Sequence, residues 1–133
     1  MSTLLVQDSL ITNVEAAVKL QFPTIPVYYD NQPFDANNPP PVYIDVEVEF
    51  YASEPTGVGA QKSRHRGFLY VSVVMKEGTG SRTARQVHDW FIQRLAYQNI
   101  DPVQFEEPLP NGSTTSRGWK AYELKIPFFS RPL

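Results

Sequence analysis

The sequence predicts an α+β fold, a two-layer sandwich in which a mainly antiparallel sheet of about five strands carries two helices on one face. Three observations predict it. Two stretches, residues 4–22 and the one ending at Leu95, place apolar residues at three- and four-residue spacing, as a helix lying on a core does. Residues 42–51 alternate apolar and polar side chains, the pattern of a half-buried antiparallel strand. Residues 68–75 are apolar on both parities, which marks a central strand covered on both faces.

In chain order, the first helix carries Val6, Leu10, Val14, Val18 and Phe22 on one stripe, widened by Ile11 and Ala17. Thr12-Asn13-Val14-Glu15 has the form of a capping box, but the stripe already exists at Val6 and places the start earlier. Pro23 and Pro26 end the helix and force an extended exit. Val27 to Asp30 reads as a short strand. The segment from Asn31 to Pro41 is loop chemistry, with Phe34 as its expected anchor.

In the strand that follows, Val42, Ile44, Val46, Val48 and Phe50 point one way. Tyr43, Asp45, Glu47, Glu49 and Tyr51 point the other. Residues Ala52 to Ser63 are polar and glycine-rich, and read as a mobile loop that orders against a neighbour. The central strand comes next, with Leu69, Val71, Val73 and Met75 on one face and Phe68, Tyr70 and Val74 on the other. Gly78-Thr79-Gly80 breaks it with glycines that permit positive φ. Ser81 or Thr79 is placed to cap the second helix. There Ala84, Val87, Phe91 and Leu95 form the apolar stripe, and Arg85 and Asp89 lie one turn apart as an ion pair. Val103 to Glu106 is a short edge strand. Pro108 to Gly118 reads as a loop with a tight turn at Asn111-Gly112. The last strand, Trp119 to Phe128, alternates Tyr122, Leu124, Ile126 and Phe128 with Glu123 and Lys125. The order is αβββαββ, in one domain spanning residues 1–133.

Composition narrows the function. At 133 residues with 41% hydrophobic and 13% aromatic content, the chain is globular and builds a core without staples. A net charge of −2 argues against nucleic-acid binding driven by bulk charge. The absence of cysteine removes disulfides, thiolate metal sites and a cysteine nucleophile. No signal peptide is visible, and no apolar run approaches a membrane span. The expectation is a soluble intracellular domain that meets no membrane.

Each candidate site has a plain alternative. GTGSRT, between strand and helix, lacks the third glycine of a dinucleotide fingerprint and the Gly-Lys-Ser/Thr of a P-loop, so it reads as a turn and a cap. Asp45, Glu47 and Glu49 lie roughly 7 Å apart along one strand face. They can serve acid–base or metal chemistry, yet no histidine or aspartate motif accompanies them, and a solvated face explains them better. His65 and His88 sit in different elements without ligands at metal spacing. No Gly-x-Ser-x-Gly is present. Lys62, Arg64, His65 and Arg66 form the one dense basic cluster, with Arg82 at the second helix start. Acid on one strand and base at loop and helix starts suits subunits that meet head to tail. The residues expected to contact a partner or neighbouring subunit are therefore Lys62, Arg64, Arg66, Arg82, Asp45, Glu47 and Glu49. No catalytic, cofactor-binding or metal-binding residue is expected, and the chain reads as an interaction protein rather than an enzyme.

The order of segments adds a resemblance. YYDNQPF before a proline loop, VYIDVEVEF, RHRGFLYVSVVMKEGTGSRTARQVHDWF and a closing KAYELKIPFFSR together resemble the bacteriophage tail terminator-like family over essentially the whole chain. Its markers are the "xNxPF" segment, the "RxRGxLxVxV" strand, the "GTG" turn into an alanine-containing helix, and a terminal aromatic strand. Where that family often has a proline near position 76, this chain has Lys76 and Glu77, which changes the end of the strand. The resemblance implies a structural virion protein of a long-tailed phage, assembled in the host cytoplasm. Such subunits form a homo-oligomeric ring, typically hexameric, on the finished tail tube. The ring stops tube growth and offers a surface to the head connector or head-completion protein, while DNA passes through without specific binding. Partners would be the tube protein, the connector and other copies of the chain. The alternatives are a head-completion or connector protein of the same particle and, further off, an enzyme of unknown class.

Overall fold

The computed structural model describes residues 3–29, 40–55, 63–100 and 102–130. The elements are helix α1 (Thr3–Gln21), strands β1 (Val27–Tyr29), β2 (Val42–Pro55) and β3 (Ser63–Lys76), and helix α2 (Arg82–Leu95). Strands β4 (Asn99–Ile100), β5 (Val103–Phe105), β6 (Leu109–Ser116) and β7 (Trp119–Ser130) follow.

The expected two-layer sandwich of about five antiparallel strands is not what forms. Seven strands make one curled, mixed sheet, a half-barrel carrying two helices. The strands are ordered β1-β2-β3-β7-β5-β4, and β6 also pairs with β7. β7 gives one edge to β3 and divides the other: its first part pairs with β6 and its end with β5. β1 runs parallel to β2, which makes the sheet mixed. The two pieces missing from the expected order are β4, only two residues long, and β6.

Residues 109–116 had the composition of a loop, yet they form a strand because β7 supplies a ladder for them. Asn111-Gly112 is not the turn but an irregularity in that ladder, with Gly112 at φ +79°. The hairpin turns instead at Arg117-Gly118, both at positive φ (50° and 81°), the geometry of a two-residue loop matched to strand twist. β2 and β3 also reach further than expected, so that residues 52–55 and 63 are strand. The remainder of that predicted loop, with Lys62, lies outside the described residues, as does Phe34. β5 is flanked by β4 and β7 and is not an edge.

The core forms on one face. Cross-strand rows such as Ile44–Val73–Tyr122, Val46–Val71–Leu124 and Val48–Leu69–Ile126 lie under the helix stripes. Val6, Leu10, Val14 and Val18 of α1 are buried in it, as are Ala84, Val87, Phe91 and Leu95 of α2. α1 packs on β1 and β2, and α2 on β3. Both predicted stripes therefore do the work read from their spacing. The caps differ: Ser81 occupies the N-cap without a side-chain bond, and the Thr79 hydroxyl instead donates to the Lys76 carbonyl at 2.7 Å. Arg85 and Asp89 make no ion pair among the described residues.

Candidate interaction surface

β3 is central, but among the described residues helices cover only one of its faces. Its second face carries Arg64, Arg66, Phe68, Tyr70, Ser72 and Val74, all half-buried, with no helix over them. The ladders bring three strands' outward residues into rows across this face: Asp45–Ser72–Glu123, Glu47–Tyr70–Lys125 and Glu49–Phe68–Pro127. The alternation of β2 had placed Asp45, Glu47 and Glu49 correctly. What a single strand does not reveal is that Glu123 joins them from β7, because that needs the pairing order.

Two aromatic groups flank the carboxylates. At one end Tyr28 meets Tyr43 edge to face with centroids 5.6 Å apart, and Tyr43 lies 6.4 Å from Trp119. At the other end Tyr51 stacks on Phe68 at 4.9 Å, and Tyr70 lies 5.9 Å from Phe68. The Lys125 ammonium sits 4.0 Å from the centre of the Phe68 ring, a cation–π contact rather than an ion pair. The Tyr70 phenol is pushed above its usual range, by burial first and then by Glu49, Glu123 and Glu47. Tyr43 is raised likewise, by burial and then by Asp45 and Tyr28. The carboxylates of this face therefore add to burial in holding both phenols up.

The basic residues lie further along the same face. An irregularity between Phe50 and Ala52 sets Ala52 opposite Arg66 and Glu54 opposite Arg64. Arg66 Nε donates to Glu54 at 2.9 Å, and its Nη1 lies 3.7 Å from Glu106, which raises its already high pKa. Both guanidiniums lie on the Phe129 ring, at 5.0 Å for Arg64 and 5.6 Å for Arg66. Arg64 Nε is buried without a hydrogen-bond partner. The structure thus brings Arg64 and Arg66 onto the acidic face. Arg82 stands apart, exposed at the start of α2. Phe129 was missed, although its parity in the last strand would have aligned it with Glu123 and Lys125.

The histidines serve packing. His65 is buried on the core side, its Nδ1 2.7 Å from Ser53 Oγ and its backbone N–H donating to Ser130 Oγ at 2.8 Å. His88 lies between α2 and the sheet, where burial lowers its pKa against the carbonyls of Val71 and Tyr122. Among the described residues no group of three or more His, Asp or Glu side chains is arranged to hold a metal. Nor is any described helix long and apolar enough to cross a membrane.

Residues 6–100, from within α1 to the end of β4, match the model of a family described as phage tail terminator protein. The chain belongs to the phage tail terminator family. That family is a structural one, of virion tail components, and the segments singled out in the sequence fall mostly within the match. Among solved structures, one whose title names no function resembles the whole terminator chain at TM-score 0.72, with 23% identity over 98% of this chain and 96% of the other. It establishes the fold alone. No protein with a curated description matches this terminator.

Proposed function

We propose that this tail terminator forms a ring on the end of the tail tube, ends tube polymerisation there and presents the surface on which the head is joined. Support comes from family membership and from one structural observation: a sheet face that carries no helix layer among the described residues. On it aromatics flank three carboxylates along β2, with Glu123 across β3 from Asp45. A monomer has no use for aromatic groups held half out of water on a rigid sheet, whereas an assembling subunit covers them. The carboxylates suit the wall of a channel for DNA, because they repel phosphates, while Lys125 on the same face lies on the Phe68 ring and Arg66 is paired with Glu54 and Glu106. The other partners are then the tube protein below and the head connector above.

The test is tube growth. Tube protein polymerising with the purified terminator should stop at a fixed length, and negative-stain images should show an extra ring at one end. Tubes that lengthen unchecked, with no terminator at their ends, would remove the reading.

A further inference from the structure

Among the described residues, β1 ends the sheet on one side, and β6 and β4 are both outer strands on the other; β1 and β6 are unlike. At one end β1 pairs with β2 alone, and at the other β6 pairs with β7 alone. β6 is exposed along all eight residues and carries no charge. Pro110 and the irregularity at Asn111-Gly112 protect its first half from further pairing, but Ser113–Ser116 has neither.

A helix flanks each open end. On α1, Leu4, Asp8, Ile11 and Glu15 follow i, i+4, i+7, i+11 spacing and so share one stripe. The Tyr29 hydroxyl donates to Glu15 at 2.6 Å, which fixes that stripe on the β1 side. Leu4 is 63% exposed, and Asp8 is exposed as well. At the opposite end, Arg85 and His88 of α2 face Pro110, Gly112 and Ser113 of β6 across a cleft of about 260 Å³. His88 Nε2 is buried there without a hydrogen-bond partner, and Arg85 makes no ion pair among the described residues. One end therefore offers Leu4 and the Asp8 carboxylate, with Glu15 paired to Lys19, and the other a hollow in which Arg85 and His88 stand beside Glu123.

We propose that these ends are the two halves of a head-to-tail contact between copies of this chain. The α1/β1 end of one copy seats on the α2/β6 end of the next. Asp8 meets Arg85, Leu4 enters the cleft beside His88, and the edge of β1 away from β2, which pairs with no other strand among the described residues, continues the sheet from Ser113–Ser116. The two surfaces differ, so the contact repeats from copy to copy, and on a curled sheet the repeat turns back toward closure. This assignment rests on the ring reading above and deepens it by naming the surfaces that meet.

The chain has no cysteine, which makes a cross-linking test direct. Purified protein, free and seeded on tail tubes, is treated with a flexible bismaleimide. The double variant Asp8→Cys/Arg85→Cys should give a ladder of covalent oligomers ending at the ring number, and neither single variant should cross-link. In parallel, Asp8→Arg and Arg85→Asp should each abolish assembly, and the charge-swapped double variant should restore it. Both positions are exposed, so thermal midpoints should stay near wild type in every variant. Dimers from a single-cysteine variant would mean a symmetric contact and would overturn the assignment. Absence of a ladder where wild type still forms rings would also overturn it, leaving the ring reading standing. A wild-type chain that neither assembles nor binds tube ends would take both down.

Discussion

The ring of Phe128 lies over the backbone of β3 at Gly67, so close that a Cβ there would come within 2.9 Å of the ring's Cζ. The same Cβ would stand 2.2 Å from the Glu49 carbonyl oxygen, which belongs to the neighbouring strand and cannot rotate aside. Phe50, opposite Gly67 in the ladder, meets Phe128 edge to face at 5.7 Å. The Phe128 ring and the Glu49 carbonyl thus occupy the space that a side chain at position 67 would need.

Gly67→Ala is accordingly expected to destabilise the isolated subunit by about 1–3 kcal/mol, because β2 and β3 must separate to admit the methyl group. A thermal melt reads this directly, and an unchanged midpoint would show that the close approach relaxes freely.

The second expectation concerns pH. Burial holds His88 below its ordinary value, so the unfolded chain takes up a proton near pH 6.5 while the folded chain does so only at lower pH. Between those points the unfolded state binds more protons, and stability falls as pH drops. His88 thus favours the folded state fully above its unfolded value. From about pH 7 to about pH 5.5 the wild type should lose stability more steeply than His88→Gln in denaturant titrations. Equal slopes would place the ring in water.

Arg64 and Arg66 share a ring but should respond differently. Arg66→Met loses solvent-screened contacts to Glu54 and Glu106, so stability should fall slightly. Arg64→Met keeps an unbranched stem against Phe129 and removes a buried donor with no acceptor, so stability should hold or rise. Matched melts of the two variants decide it, and a larger loss at Arg64 would reveal a contact made by its guanidinium.

Glu47→Lys should fold with stability changed by no more than about 0.5 kcal/mol, since its position alternates outward. It should also lower the Tyr70 phenol, because Glu47 is one of the charges holding it up, and ultraviolet titration of phenolate reads that change. In the particle, tails carrying it should join heads but release DNA slowly. Normal ejection and infectivity would mean the carboxylate row is merely solvated.

Arg117 sits at φ +50° in the β6–β7 turn, a conformation that asparagine tolerates far better. Arg117→Asn should therefore raise the melting temperature, by the equivalent of up to about 1 kcal/mol. A fall would point to a contact made by the arginine side chain.

Legibility followed the range over which a signal acts. The stripes of α1 and α2 and the alternation of β2 are local, and Val6 to Val18, Ala84 to Leu95 and Ile44 to Val46 are buried where their spacing placed them. β6 has no such pattern, since Pro110, Asn111, Gly112, Ser113 and the threonines favour loops. It is a strand because β7 pairs with it. β1 is three residues long and its parallel pairing with β2 is long-range, so neither the mixed sheet nor its curl could be read. β3 misled for a related reason: Phe68, Tyr70 and Val74 read as a second covered face, but they are only half-buried, with no helix over them among the described residues. The surface was half legible, its acids from β2 and its assembly with Glu123, Tyr28 and Trp119 only from the order of strands.

Counted against the β2–β3 pairing, Tyr51 is a supernumerary residue. Phe50 pairs with Gly67 and Ala52 with Arg66, so excising Tyr51 would leave a continuous ladder in which every other side chain keeps its present face. Ser53 would still meet His65, and the row from Asp45 to Glu49 would not shift. Only the ring stacked on Phe68 would go. In the geometry of the ladder the aromatic is an added residue, at a point where the chain length can differ by one without changing the phase of the sheet. Relatives that gain or lose a residue at this point would recognise different surfaces on an unaltered scaffold.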